Sequence, residues 1–94
     1  MKEPYNRNEA KKLILKIIQD GSVVLSRHAE EELAKDGLTT VDATNVLREG
    51  KIIEPPEQEH GTWRYRVHTE QMVVVVTFVS ESKLKVITAW RKKK

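Results

Sequence analysis

The order of patterns in this chain predicts an α+β fold, with helices gathered on one face of an antiparallel sheet. Three observations carry that reading. Apolar residues recur at helical spacing in the first half and at strand spacing in the second. Glycine or proline closes each of the three helical stretches and the first strand. Ninety-four residues leave room for one hydrophobic core, so 1–94 is read as a single domain.

The first helix is expected over 7–20. Ala10, Leu13, Ile14, Ile17 and Ile18 form one apolar stripe, Asn6 with Glu9 makes a capping box, and Gly21 stops it. Val23, Val24 and Leu25 read as a short extended piece. Ser26 then caps a second helix, 27–35, with Ala29 and Leu33 inward, pairs of Arg27 with Glu31 and Glu31 with Lys35 outside, and Asp36-Gly37 as its end. Thr39 with Asp42 opens a third helix, 40–49, burying Ala43, Val46 and Leu47 before Gly50.

Four strands are expected to follow. The first, 51–54, is stopped by Pro55-Pro56, which cannot donate to a ladder. A polar loop leads to 62–69, a turn at Glu70-Gln71 to 72–79, and a further turn to 84–90. The unbroken valine run of 72–79 marks a central strand buried on both faces.

Composition narrows the function. With no cysteine, disulfide and thiolate chemistry are excluded. His28, His60 and His68 have no metal-ligand spacing, and no phosphate-binding glycine loop is present, so no metal and no cofactor are expected. The start of the chain has no signal-peptide pattern and the longest apolar run, 72–76, is too short for a bilayer; a cytoplasmic protein without a membrane partner is expected. Seventeen Lys and Arg against fourteen Asp and Glu give a net charge of +3. From residue 51 onward nine basic residues, ending in the tail 91–94, face five glutamates expected mostly in loops, which points to a polyanionic partner.

The stretch 62–69 concentrates that charge. Trp63, Tyr65 and Val67 alternate with Arg64, Arg66 and His68, so one sheet face carries three cationic or cationisable groups in a row. Arginine suits phosphate because its planar fork donates two bonds at once; the plain alternative is a solvated face with cross-strand pairs. His68 sits near the strand end and is read as a bystander, and His60 as a solvent-facing loop residue. His28, in the first turn of the second helix, is held toward its neutral, base-competent form by the helix dipole. The competing reading is a surface histidine paired with Glu32. In 84–90 both parities mix polar and apolar residues, so the direction of Thr88 stays open. Trp63 and Trp90 both read first as core; of the two, Trp90, beside the basic tail, is the better base-stacking candidate.

Taken in order, Ser26-x-His28-Ala29, Asn45-Val46-Leu47-Arg48-x-Gly50, Trp63-Arg64-Tyr65-Arg66-Val67 and Thr88-Ala89-Trp90-Arg91 resemble the small bacterial proteins grouped as domain of unknown function 4258, over about residues 12–92. That family looks like a branch of the RelE-like and MqsR-like toxins, small ribonucleases of type II toxin–antitoxin modules. The resemblance implies a RelE/barnase-like architecture, RNA as substrate, and a cognate antitoxin, often with zinc-finger and helix-turn-helix parts, as partner. It also implies roles: His28 as the family's Ser-x-His-Ala histidine, Arg64 and Tyr65 as its Arg-Tyr strand motif with Arg66 beside them, and Thr88 as its terminal-strand threonine. His28, Arg64, Arg66 and Thr88 are thus the expected catalytic set; Arg27, Tyr65, Trp90, Arg91 and Lys92 are the expected substrate contacts. Many members carry arginines where this chain has Glu32 and Asp36, which shifts RNA binding here toward Arg66, Arg91 and the lysine tail. The function expected is metal-independent RNA cleavage by 2′-hydroxyl attack. The alternatives are a non-catalytic RNA- or protein-binding module and, more weakly, a small-molecule enzyme.

Overall fold

The computed structural model describes residues 2–92; Met1 and the tail residues Lys93 and Lys94 lie outside them. The elements are α1 (Arg7–Asp20), β1 (Ser22–Leu25), α2 (Arg27–Lys35), α3 (Thr40–Glu49), β2 (Glu57–Glu59), β3 (Thr62–His68), β4 (Met72–Ser80) and β5 (Lys83–Arg91). The strands form one sheet in the order β1-β5-β4-β3-β2. The α+β class and the three helices stand as expected; the sheet has five strands, not four, and is mixed.

The helix ends follow their sequence signals. Asn6 accepts from the Glu9 amide at 2.8 Å while Glu9 reaches back to the Asn6 amide, and Ser26 accepts from the Ala29 amide at 3.0 Å. Each cap satisfies donors that the first turn leaves without partners. The outer pairs expected on α2 are replaced by one between Glu32 and Lys35 at 3.3 Å. Ala10, Ile14 and Ile17 of α1, Ala29 and Leu33 of α2, and Ala43, Val46 and Leu47 of α3 enter one core with Tyr65, Val67, Val74, Val76, Phe78, Leu84, Val86 and Ala89. These sheet residues share one face, so the helices cover that face and leave the other open. β4 is central, and its residues 72–78 are all buried.

Three strand expectations change. The extended piece at Val23 to Leu25 is a full edge strand: β1 pairs parallel to β5, Val23 opposite Leu84 and Leu25 opposite Val86. The strand expected over 51–54 shrinks to a single bridge in which Lys51 and His68 exchange backbone bonds of 2.8 Å. Beyond it Ile52 turns into the core, Ile53 outward, and the two prolines prevent further pairing. Conversely, the expected loop contains β2, which pairs antiparallel with β3, Glu57 opposite Arg64 and Glu59 opposite Thr62. The two-residue connection His60-Gly61 has positive φ at both positions, 51° and 80°, as a type I′ hairpin turn requires.

Candidate functional site

The open face of the sheet is built by cross-strand rows. Arg66 lies opposite Val75, which lies opposite Thr88; His68 lies opposite Val73, which lies opposite Trp90. Directly paired residues project to the same side, so these rows put the β3 cations and the β5 candidates on one face. A bulge makes this possible. Val76 pairs with Val86 and Val75 with Thr88, so Ile87 is an extra residue in β5. Before it Leu84 and Val86 enter the core; after it Ala89 does, while Thr88 and Trp90 turn to the open face. The mixed character of 84–90 in sequence is this change of phase, and it settles the direction of Thr88.

Arg64, Arg66, Thr88 and Trp90 line one cleft of about 120 Å³ together with Pro55, Val75, Glu57 and Glu59. Val75 gives it an apolar floor, 6% exposed. Trp90 remains 39% exposed at one end, its ring available for stacking. Lys92 lines the adjoining depression of about 490 Å³ with His68 and Lys51, and Arg91 is exposed. A larger depression, about 530 Å³, lies between the start of α1 and the end of α3. It contains none of the expected site residues, and its Lys11 ammonium is already bonded to the carbonyls of Leu47 and Arg48 at 2.8 and 3.0 Å and to that of Gly50. Burial pushes the Lys11 ammonium below its ordinary range.

Four of the singled-out residues stand differently from expectation. Tyr65 is not a substrate contact: it is 1% exposed, packed on Phe78 with ring centroids 5.1 Å apart. Its hydroxyl donates to Glu3 and accepts from the Tyr5 amide, both at 3.0 Å, and burial raises it above its ordinary range. This inward direction follows from its parity with Val67. His28 and Arg27 are exposed on the first turn of α2 and do not line the cleft. Ser26, just before them, bonds the carbonyls of Val86 and Ile87 through its amide and hydroxyl at 2.8 and 2.7 Å, pinning the start of α2 at the bulge beside Thr88. His68 is not a free group at the strand end: its Nε2 lies 2.5 Å from a Glu54 carboxylate oxygen.

The glutamates were missed as site residues. Arg64 pairs with Glu59 at 3.6 Å, Arg66 with Glu57 at 3.5 Å, and His68 with Glu54, so each member of the row has its own carboxylate. The signal was present: Glu57 and Glu59 alternate as Arg64 and Arg66 do, and a two-residue turn at His60-Gly61 sets them side by side. The pairing leaves the Arg64 Nε and the His68 Nδ1 buried without a hydrogen-bond partner. Among the described residues no three of His, Asp and Glu gather as a metal-ligand set, and no helix is long and apolar enough to cross a membrane.

No curated protein and no solved structure matches the chain. A family model does match, over residues 25–91, a stretch that contains the bulge, all four strands that line the cleft and the three glutamates paired with the cation row. The chain belongs to the family described as Domain of unknown function (DUF4258).

Proposed function

We propose that this protein is a metal-independent endoribonuclease of the toxin type, with a RelE-like arrangement of helices on a ribonuclease sheet, a cognate antitoxin as partner and the cytoplasm as its compartment. One observation carries the reading: two arginines, a threonine hydroxyl and a half-exposed tryptophan from different strands line one cleft. That set suits a nucleotide. The guanidinium groups meet phosphate oxygens, the hydroxyl fixes one of them, and the indole offers a face to a base. Metal independence rests on the state of the carboxylates: Glu54, Glu57 and Glu59 are each paired with a separate cationic or cationisable group, and among the described residues they do not gather as a ligand set.

In the reaction the 2′-oxygen attacks the adjacent phosphorus, a 2′,3′-cyclic phosphate forms, and the bond to the 5′-oxygen breaks. One group takes the 2′-hydroxyl proton and another returns a proton to the 5′-oxygen. Arg64 and Arg66 stabilise the charge that grows on the phosphorane oxygens, with about a 10²–10³-fold loss expected on removing one such donor. The chain has three histidines to offer: His28, two residues beyond the Ser26 pin, His68, next on the open face after Arg66, and His60, whose Nε2 lies 3.9 Å from the cleft-lining Glu59. Proton transfer by such a group is worth about 10²–10⁴-fold.

The test combines cleavage and growth. Purified protein is expected to cut RNA in the presence of a chelator and to leave a substrate with 2′-deoxy at the cleaved nucleotide intact. Arg64→Ala should lose cleavage and relieve growth arrest on expression. Cutting of the 2′-deoxy substrate, or a need for a divalent ion, overturns the mechanism.

The exposed position of His28, away from the cleft lining, favours a second reading: the same cleft binds RNA without cutting it. Equal RNA affinity of the wild type and His28→Ala, with no cleavage of any RNA pool, selects that reading.

A further inference from the structure

The cation row that runs through the cleft and past its edge is already paired with anions of the chain itself. Three cationic or cationisable groups two residues apart on β3 meet three carboxylates one to one, and the carboxylates come from one short segment, 54–59. The part that carries Glu57 and Glu59 is weakly held, whereas Glu54 is the less exposed partner, 2.5 Å from His68. β2 is three residues long, all exposed, and pairs with β3 alone. Pro55-Pro56 before it has no backbone donors, and a tight turn follows it. The side chains of Glu57 and Glu59 are 65% and 56% exposed, so water competes for them and the pairs add little to stability. The carboxylates also leave the row incompletely satisfied, for the Arg64 Nε is buried with no acceptor.

Resting on the RNA reading above, we infer that Glu54, Glu57 and Glu59 stand where consecutive phosphates of a single RNA strand bind, and so select for substrates carrying several contiguous phosphates. A lone phosphate exchanges one carboxylate for one similar anion and gains little. Linked phosphates displace the carboxylates while giving up free translation only once, the second and third contacts being intramolecular. Mononucleotides and inorganic phosphate are therefore excluded, although the cleft is large enough for one phosphate. Salt sets a second mark. The RNA phosphates shed their condensed counterions, but each displaced carboxylate takes up cations from solution in exchange, so binding to the native chain depends less on salt than its number of phosphate contacts implies.

The experiment measures binding of inorganic phosphate and of 2′-O-methyl RNA oligomers with one to six phosphates, over a range of salt. The native chain is expected to ignore phosphate and mononucleotides and to gain affinity steeply by the third linked phosphate. Glu57→Gln/Glu59→Gln should bind the short oligomers about tenfold tighter, the ceiling set by weak exposed ion pairs. Its salt slope should steepen by roughly 0.7 for each freed cation. Fraying of β2 in this variant also frees the arginines, so the expectation stands if the strand is lost. Unchanged or weaker binding with an unchanged slope overturns the carboxylate role. Arg66→Ala separates the two levels. Lost binding there, with no effect of the glutamine pair, removes only this inference. Arg66→Ala that binds RNA like the native chain removes the RNA reading beneath it.

Discussion

Tyr65 shows how far one position can differ from the role its motif suggests. It stands between Arg64 and Arg66, yet its ring is core and its hydroxyl ties residues 3 and 5 to the sheet. Tyr65→Phe should leave RNA binding and cleavage unchanged. It should lower stability by about 1–3 kcal/mol, because a bond to a carboxylate is lost and the Tyr5 amide is left unpaired. Thermal melting should fall by roughly 4–8 °C per kcal/mol for a domain of this size. The pH dependence has a definite sign. Burial raises the phenol above its ordinary value of 10.0, so the folded chain keeps its proton where the unfolded chain loses it. That contribution is complete below pH 10 and declines above it. Chemical unfolding across alkaline pH should show a decline that Tyr65→Phe flattens. The parity that buries Tyr65 was readable from the alternation of 62–69, and Arg64 and Arg66 were readable by the same rule. The carboxylates facing them are harder to place from sequence, because Glu57-Gln58-Glu59 has no apolar alternation to announce a strand.

Among the elements, those with strong local signals came out as expected and those defined by pairing did not. Caps and stripes place α1, α2 and α3 because helices are closed by nearby residues. β1 is four residues long and exists through its parallel partner, which no local pattern names. The 51–54 segment looked like a strand from its isoleucines, yet only Lys51 reaches a partner. Gly50 shows what fixes that junction. A methyl group there would meet the Val46 carbonyl at 2.6 Å, the His68 carbonyl at 2.7 Å and Val67 Cγ1 at 2.8 Å, two of them backbone. Gly50→Ala should cost about 1–3 kcal/mol by forcing the end of α3 away from β3. Because that shift also moves the chain leading to Glu54, denaturant unfolding and RNA affinity should change together.

The whole molecule is larger than its family signature. The matched stretch begins at residue 25, after α1, but Ala10, Ile14 and Ile17 are fully part of the shared core. α1 also supplies Lys11, which satisfies carbonyls at the end of α3 where the helix dipole favours a cation. A chain limited to 22–94 is therefore expected to expose that apolar face and to melt without a cooperative transition in calorimetry. Ile14→Ala in the full chain should lose about 2–5 kcal/mol, a large part of what a domain this small possesses. The bulge at Ile87 bears on how relatives are compared. Alternation counted from the start of β5 assigns Thr88 to the wrong side; distance from the extra residue assigns it correctly. A relative without that residue keeps a hydroxyl over the cleft only if it follows the last core valine by one position instead of two. Aligning such chains by hydrophobic phase would then hide a shared site, and aligning them by the bulge would reveal it.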